Sequence, residues 1–450
     1  MISEKSLKTI DYKSIALILW KFSLPLILSG ILQQLYLWAD AIIIGHFVGE
    51  DALGAIGVTG SITNSMMLVM IGFTTGLSVI AAQKFGAGDR ETVSSLLSHF
   101  SLLLTGAFLL LSVAGIFCCD DLLRLLQTPS DILQYAEQYL RIILAGIPFL
   151  TVYNLYAAML RAVGNSKASF YAVMVSSVAN VLLDLLLVAV FPFGVQGAAL
   201  ATILSQIAMT VFLVRYAEKK YDMFRFERRG FRLQMPVIAL GLHYAVPLMI
   251  QQSITAIGGL VLQGFMNGFG ARTVAAITSA YRVDLIMLIP IMNLGAATST
   301  MVAQNKGAGD REKVKGFSVA GTALCLLFSV FLMFLMYNFG GNIVRIFGIE
   351  EEAVKIGAQF FRSISLYYLV YGLSTAFRGI AEGYGKVAFS GVTGILALFV
   401  RIGLSFLLKD SLGNRSIAHA EGLHWVFLTL VFLPVVWNAV RKKETESASF

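Results

Sequence analysis

Two aspartates stand in stretches that otherwise hold almost no charge. Asp40 lies in Leu35-Tyr36-Leu37-Trp38-Ala39-Asp40-Ala41-Ile42-Ile43-Ile44, and Asp184 in Val181-Leu182-Leu183-Asp184-Leu185-Leu186-Leu187. An ionisable group in such a setting is costly and persists mainly where it handles charge. Asn180 precedes Asp184 by one helical turn and shares its face if the segment is helical. Four residues separate Asp40 from Gly45-His46, and six separate Asp184 from Phe191-Pro192. Two helices running outward would therefore place both acids at similar depth. A helix returning after Gly197 would bring Ala198 and Thr202 to that depth as well. Two carboxylates, an amide and a hydroxyl suit a proton relay or a small hard cation such as sodium, which prefers oxygen ligands. Neighbouring carboxylates in a dry site repel, which favours uptake of positive charge between them. The alternatives are interfacial water for Asp40 and ordinary interhelical hydrogen bonds for Asn180 and Thr202.

The elements that must position these residues are membrane helices. The 450-residue chain is 57% apolar and 13% charged, whereas a soluble domain carries about 25% charged residues. Apolar runs of about 20 residues, enough to cross a hydrocarbon core, recur along its length. Twelve spans are expected, near 16–44, 53–81, 93–117, 132–159, 168–190, 196–214, 236–266, 274–303, 317–338, 353–376, 387–408 and 420–440. The fold class is therefore an all-α integral membrane protein. The first run is too long for a signal peptide and lacks an A-x-A-like site, so it reads as a retained span.

Charge placement orients the chain. With the N-terminus inside, the inner segments hold 24 Lys and Arg and the outer loops five: Arg124, Arg272, Arg345, Lys409 and Arg415. Lysine and arginine concentrate on the cytoplasmic side, so both termini are expected there. The longest basic stretch, 215–235, reads as a cytoplasmic linker between an N-terminal lobe (1–214) and a C-terminal lobe (236–450). Binding of anionic lipid is its lesser alternative. The net charge of +8 is confined to such short loops, which excludes a nucleic-acid-binding surface.

The chain is also duplicated. Ala82-Gln83-Lys84-Phe85-Gly86-Ala87-Gly88-Asp89-Arg90 returns 221 positions later as Ala303-Gln304-Asn305-Lys306-Gly307-Ala308-Gly309-Asp310-Arg311. Pro25-Leu26 matches Pro247-Leu248 at offset 222, and Gly164-Asn165-Ser166-Lys167 resembles Gly383-Tyr384-Gly385-Lys386 at offset 219. Six spans in each half imply parallel repeats about an axis along the membrane normal, with a cavity between them. The acids break this symmetry, since position 262, opposite Asp40, is Leu262.

In these features the chain resembles the MATE (multidrug and toxic compound extrusion) family over nearly its whole length. The resemblance rests on Gln-x-x-Gly-Ala-Gly-Asp after span 2, its echo after span 8, and Arg161-Ala162-Val163-Gly164-Asn165 after span 4. Asp40, Asn180 and Asp184 resemble the prokaryotic DinF-like branch. The resemblance implies two pseudo-symmetric six-helix lobes and cation coupling at Asp40, Asn180, Asp184 and Thr202. The Ala198 carbonyl would be a further ligand, and sodium at this set is one reading. It also implies a bend of span 1 at Pro25, although proline permits a static kink equally well. The NorM-like branch uses acids in spans 7 and 10. Here span 7 has none and span 10 has none after Glu352, so a second-lobe site of that type is not expected.

Gln33, Tyr36, Asp40, Tyr139, Met174 and Asn180 could line a substrate cavity. Met66, Met67, Met70 and Met209 could add a soft wall or simply pack. Arg282 and Asp284 face the cavity from the second lobe or satisfy each other. Arg362 and Arg401 read as neutralised or snorkelling. The Gly-Ala-Gly-Asp loops lack the Gly-Lys-Ser/Thr ending of a phosphate loop. His46, His99, His243, His419 and His424 do not cluster, and Cys118, Cys119 and Cys325 form no disulfide framework or zinc pattern. No catalytic motif is present, so no enzyme and no cofactor beyond a coupling H+ or Na+ is expected. The expected protein is a monomeric, multi-pass secondary exporter of amphipathic organic cations in a bacterial plasma (inner) membrane, with lipid as its surroundings. A flippase for lipid-linked oligosaccharide or lipid is the alternative.

Overall fold

The computed structural model describes residues 11–225 and 233–441. Lys5, Lys8, Arg228, Arg229, Arg232, Lys442 and Lys443, which contribute to the charge asymmetry, lie outside the described residues. The described residues form fourteen α-helices and no strand. In order these are α1 (Tyr12–Phe47), α2 (Glu50–Gly86), α3 (Arg90–Phe117), α4 (Cys119–Leu125), α5 (Ser130–Ala162), α6 (Lys167–Asp184) and α7 (Gly194–Lys220). There follow α8 (Met235–Asn267), α9 (Ala271–Gly307), α10 (Arg311–Arg345), α11 (Glu351–Ile364), α12 (Tyr368–Gly383), α13 (Val387–Leu412) and α14 (Ser416–Arg441). Ten stretches of the described residues are long and apolar enough to cross a membrane, the last of them, 387–439, holding both α13 and α14. The tenth span is broken into α11 and α12 by a 3-10 turn at Ser365–Tyr367, and α4 is a short extra helix. Helices prevail because lipid offers no partner for a free backbone N–H or C=O. Outward-facing Leu110 and Leu407, 73% and 75% exposed, fit lipid and not water.

The duplication is written most plainly in the left-handed residues. Positive φ occurs at Gly49 and Gly270, Gly88 and Gly309, Gln127 and Gly348, and Gly164 and Gly385. Each pair is 221 positions apart. A fifth pair, Gly194 and Gly413 (φ 58° and 56°), is 219 apart. These residues end one helix and let the next begin. The true partner of Gly164 is thus Gly385, not Gly383, because φ of 85° and 82° marks the corner. In this register Asp40 lies opposite Val261 rather than Leu262, and neither is charged.

The Gly-Ala-Gly-Asp signature is one such corner, used twice. Gly88 turns the chain, Asp89 N–H bonds the Lys84 carbonyl at 2.9 Å, and Asp89 Oδ1 accepts the Thr92 N–H at 3.0 Å. Gly309 does the same, Asp310 N–H bonds the Asn305 carbonyl at 2.9 Å, and Asp310 Oδ1 accepts the Lys313 N–H at 3.0 Å. Both aspartates are N-caps. The loops are structural corners, in keeping with their lack of a phosphate-binding ending.

Contacts divide the chain into two compact units that differ from its sequence halves. One holds the residues up to Leu24, Gly86–Gly88, and Gly258 onward; the other holds Pro25–Phe85 and Asp89–Ile257. The start of α1 stays with the first of these, where Trp20 stacks on Phe328 at 5.6 Å. The first part of α8 stays with the other. There it lies on α2 at backbone distance: a Cβ on Gly72 would meet the Leu248 carbonyl oxygen at 2.6 Å. Proline introduces the change of partner in α1, since it leaves the Lys21 carbonyl without its helical N–H.

Gln127 is the only left-handed site among the described residues without glycine. Gln127→Gly should raise stability in detergent by up to about 1 kcal/mol, and Gly348→Gln should lower it by about as much; melting temperatures check both. The hydrogen bonds from Thr92 and Lys313 hold the carboxyls of Asp89 and Asp310 below the ordinary range. A depressed folded pKa gives stability present above the unfolded value and lost as pH falls through the folded one. Asp89→Asn, which still caps, should therefore flatten the acid limb of a melting-temperature profile.

Candidate functional site

Asp40, Asn180 and Asp184 are 6%, 1% and 0% exposed and belong to one compact unit. The carboxyls of Asp40 and Asp184 are neighbours, and none of the groups acting on either is basic. Asp40 Oδ1, both Asp184 oxygens and both amide atoms of Asn180 lack a partner in hydrogen-bonding geometry among the described residues. Buried polar atoms are ordinarily paired, so this concentration of unpaired oxygen on two helices is unusual. Tyr139 of α5 lies beside Thr202 of α7 and within electrostatic range of both acids and Tyr36. Tyr36 in turn is close to Asp40 and borders a groove of about 390 Å³ with Leu32, Leu35, Ser177 and Val178.

Local sequence explains the assembly. Beyond the acids, Ile43 and Ile44 of α1 join Ala52, Tyr139, Ile143, Val188, Val195, Ala198 and Ala199 in one apolar cluster. In lipid such residues hold helices together by close van der Waals packing and not by removal from water, and here that packing joins α1, α2, α5, α7 and the segment following α6. Asp184 is the last residue of regular α-helix; Leu185–Val190 form a π-helical turn, with Phe191 N–H reaching the Leu186 carbonyl at 2.8 Å. Such widened turns favour functional sites. Gly197 lets α7 approach that turn, since a Cβ there would stand 2.7 Å from the Leu187 carbonyl oxygen. Neither the π-turn nor this approach has a periodicity signal in the sequence.

The other candidates separate. The Thr202 hydroxyl donates to the Ala198 carbonyl at 3.1 Å. That carbonyl also serves the α7 ladder, so both of its lone pairs are engaged. Gln33 is half-buried. Met174 is 40% exposed, while Met70 and Met209 are packed inside at 0% and 5%. Arg282 and Asp284 belong to the other compact unit, and among the described residues the groups acting on Asp284 are Tyr368, Glu421 and Arg401, not Arg282. Arg282 is exposed and lines an outer groove with Asn267 and Phe347. Asp284 is buried and accepts the Tyr368 hydroxyl. Arg362 is exposed, and Arg401 pairs with Glu421 at 3.0 Å, a residue that sequence reasoning passed over.

A duplicated all-helical membrane protein with acids buried among its spans has the architecture of a membrane transporter. The MatE family profile matches residues 25–186 and again 247–407. The chain belongs to the MATE family; its members are transporters, and it is not an enzyme. It is 30% identical over 408 residues to the probable multidrug resistance protein YpnP of Bacillus subtilis, covering 90% of this chain and 91% of that one. It is 26% identical over 378 residues to the probable multidrug resistance protein NorM of Thermotoga maritima, covering 81% and 79%. Among solved structures it is similar to a MOP superfamily transporter from Pyrococcus furiosus, with a TM-score of 0.88 at 21% identity, covering 98% and 100%. It is also similar to an outward-facing multidrug resistance MATE transporter, with a TM-score of 0.87 at 20% identity, covering 97% and 99%. These likenesses share the twelve-span fold.

The close approach at Gly197 is testable. Gly197→Ala should destabilise the protein by about 1–3 kcal/mol through overpacking against the Leu187 backbone. A lowered melting temperature would bear this out; an unchanged one would show that the π-turn and α7 do not hold this distance.

Proposed function

We propose that the protein is a cation-coupled multidrug exporter of the DinF-like branch, moving amphipathic organic cations out of a bacterial cell by alternating access. The observation that carries this reading is the buried Asp40–Asp184 pair, with unpaired oxygens, an unpaired Asn180 amide and no basic neighbour among the described residues. Such a site gains when a proton or sodium ion enters it. The available donors are carboxyl, amide and hydroxyl oxygens of Asp40, Asn180, Asp184 and Thr202, all of the hard type that sodium accepts. Relatives named as multidrug resistance and multidrug export proteins support the substrate class. The basic loops support a multi-pass plasma-membrane protein with both termini cytoplasmic, and it works as a monomer.

In the proposed cycle the coupling ion binds at Asp40 and Asp184 from outside. It neutralises the charge that held a cationic substrate, and the substrate leaves. Pro25, where α1 changes compact unit, gives the helix a place to bend. One ion crossing 100 mV supplies about 2.3 kcal/mol, which in a one-for-one exchange offsets moving a monovalent cationic substrate out against the same potential, so the coupling ion's concentration gradient drives accumulation.

Everted vesicles, whose lumen corresponds to the cell exterior, provide the test, read as uptake of a cationic dye from the medium. An imposed pH or sodium gradient should drive transport, and Asp40→Asn or Asp184→Asn should reduce it at least about tenfold while the protein stays folded. Gradient-independent lipid scrambling without dye movement would overturn the proposal in favour of a flippase.

A further inference from the structure

The compact unit without Asp40 and Asp184 has a buried ionic cluster of its own. Asp284 of α9 and Glu421 of α14 are 4% and 8% exposed. Tyr368 of α12, fully buried, donates its hydroxyl to Asp284 Oδ1. Arg401 of α13 lies 3.0 Å from Glu421 Oε2 and donates from the same nitrogen to the Tyr281 hydroxyl at 3.1 Å. Asp284 is within electrostatic range of both Glu421 and Arg401. The remaining titratable groups facing the cluster are Tyr371 of α12, which senses Asp284, and His424 of α14, which senses Arg401. The His424 Nδ1 is tied to the Glu421 carbonyl at 2.6 Å. Farther out, Arg378 and the Cys325 thiol of α10 act on Tyr371.

The left-handed corners show that this cluster is no copy of the other acid pair. Counted from Gly194 and Gly413, Glu421 is the counterpart of Thr202; counted at 221, Asp284 is the counterpart of Thr63. Conversely Asp40 lies opposite Val261, and positions 403–405, opposite Asp184, hold Gly403, Leu404 and Ser405. Each of these two acid pairs therefore lies where the other half has no acid; the third buried acid of this unit, Glu382, is held separately by Arg378 at 2.7 Å and Ser390 at 2.6 Å. Nor are Asp284 and Glu421 on the spans used by the NorM-like branch.

The charge count decides what such a cluster can take up. Two carboxylates face one guanidinium, so full ionisation leaves one negative charge buried, which is expensive. A metal ion would have to sit beside Arg401, which already fills the cationic position between the acids. A proton neutralises either carboxyl without a further ligand. A cavity of about 210 Å³ borders Arg401, Tyr281, Gln263 and Ser405, and this is large enough to admit water as a proton path.

We propose that Asp284, Glu421 and Arg401, with Tyr281 and Tyr368, form a second, proton-only exchange site that binds and releases one proton. It is independent of the Asp40–Asp184 reading, and either can fail alone. The test is infrared difference spectroscopy of the purified protein in lipid nanodiscs between acid and neutral pH, read at the protonated-carboxyl stretch, with proton uptake counted by titration. Asp284→Asn and Glu421→Gln each leave one carboxylate facing Arg401, so the cluster stays charge-balanced. Each should abolish the same band and reduce uptake by one proton, and sodium at fixed pH should not displace that band. The bands removed by Asp40→Asn or Asp184→Asn should be different ones. A band that survives both second-unit variants, one displaced by sodium, or one lost instead in His424→Asn would overturn the proposal.

Discussion

Charge held away from water is the constraint on which the rest of this structure depends. A backbone amide in lipid must find its partner inside the same helix, which gives the long spans and confines turns to short corners. An ionised side chain in the same setting must be neutralised by a neighbour or by a ligand. The two compact units meet this demand differently. One sets Asp40 beside Asp184 with only neutral oxygen and amide groups around them. The other sets Asp284 and Glu421 around Arg401. The first arrangement has no basic group acting on it among the described residues, and the second contains one guanidinium for its two carboxyls.

Duplication supplied the frame for both. The left-handed corners recur almost in register, so the same helices return at the same places. Asp89 and Asp310 cap equivalent helices with equivalent bonds. A repeat in the corners leaves the faces of the helices free to diverge, because a side chain at Thr202 or Glu421 does not affect the turn that begins its helix. The symmetry of the scaffold and the asymmetry of the buried acids are therefore compatible. The chain keeps what sets the path of the backbone and varies what meets charge.

The exchange of helix halves between units adds a mechanical element. The first part of α1 and the first part of α8 pack with residues distant in sequence. In α1 the change falls at Pro25, where one backbone hydrogen bond is missing. Small residues such as Gly72 allow the backbones to approach without a side chain between them. Pro25 removes a backbone donor, so the helix is locally less constrained there than along the rest of its length.

The sequence by itself determined the class of fold, the number of spans, the duplication and the first acid pair. These rest on local properties: length and apolarity of runs, the chemistry of turn residues, and the rarity of acids among leucines. The tertiary structure alone decided which polar groups have partners. It showed that Ala198's carbonyl is taken up by Thr202, that Asp284 belongs with Tyr368 and not Arg282, and that Glu421 completes a cluster with Arg401. It also decided the π-turn after Asp184 and the exchange of helix halves. Each of these is set by which faces of separate helices meet. That depends on packing between residues far apart in the chain, and spacing along one helix carries no record of it.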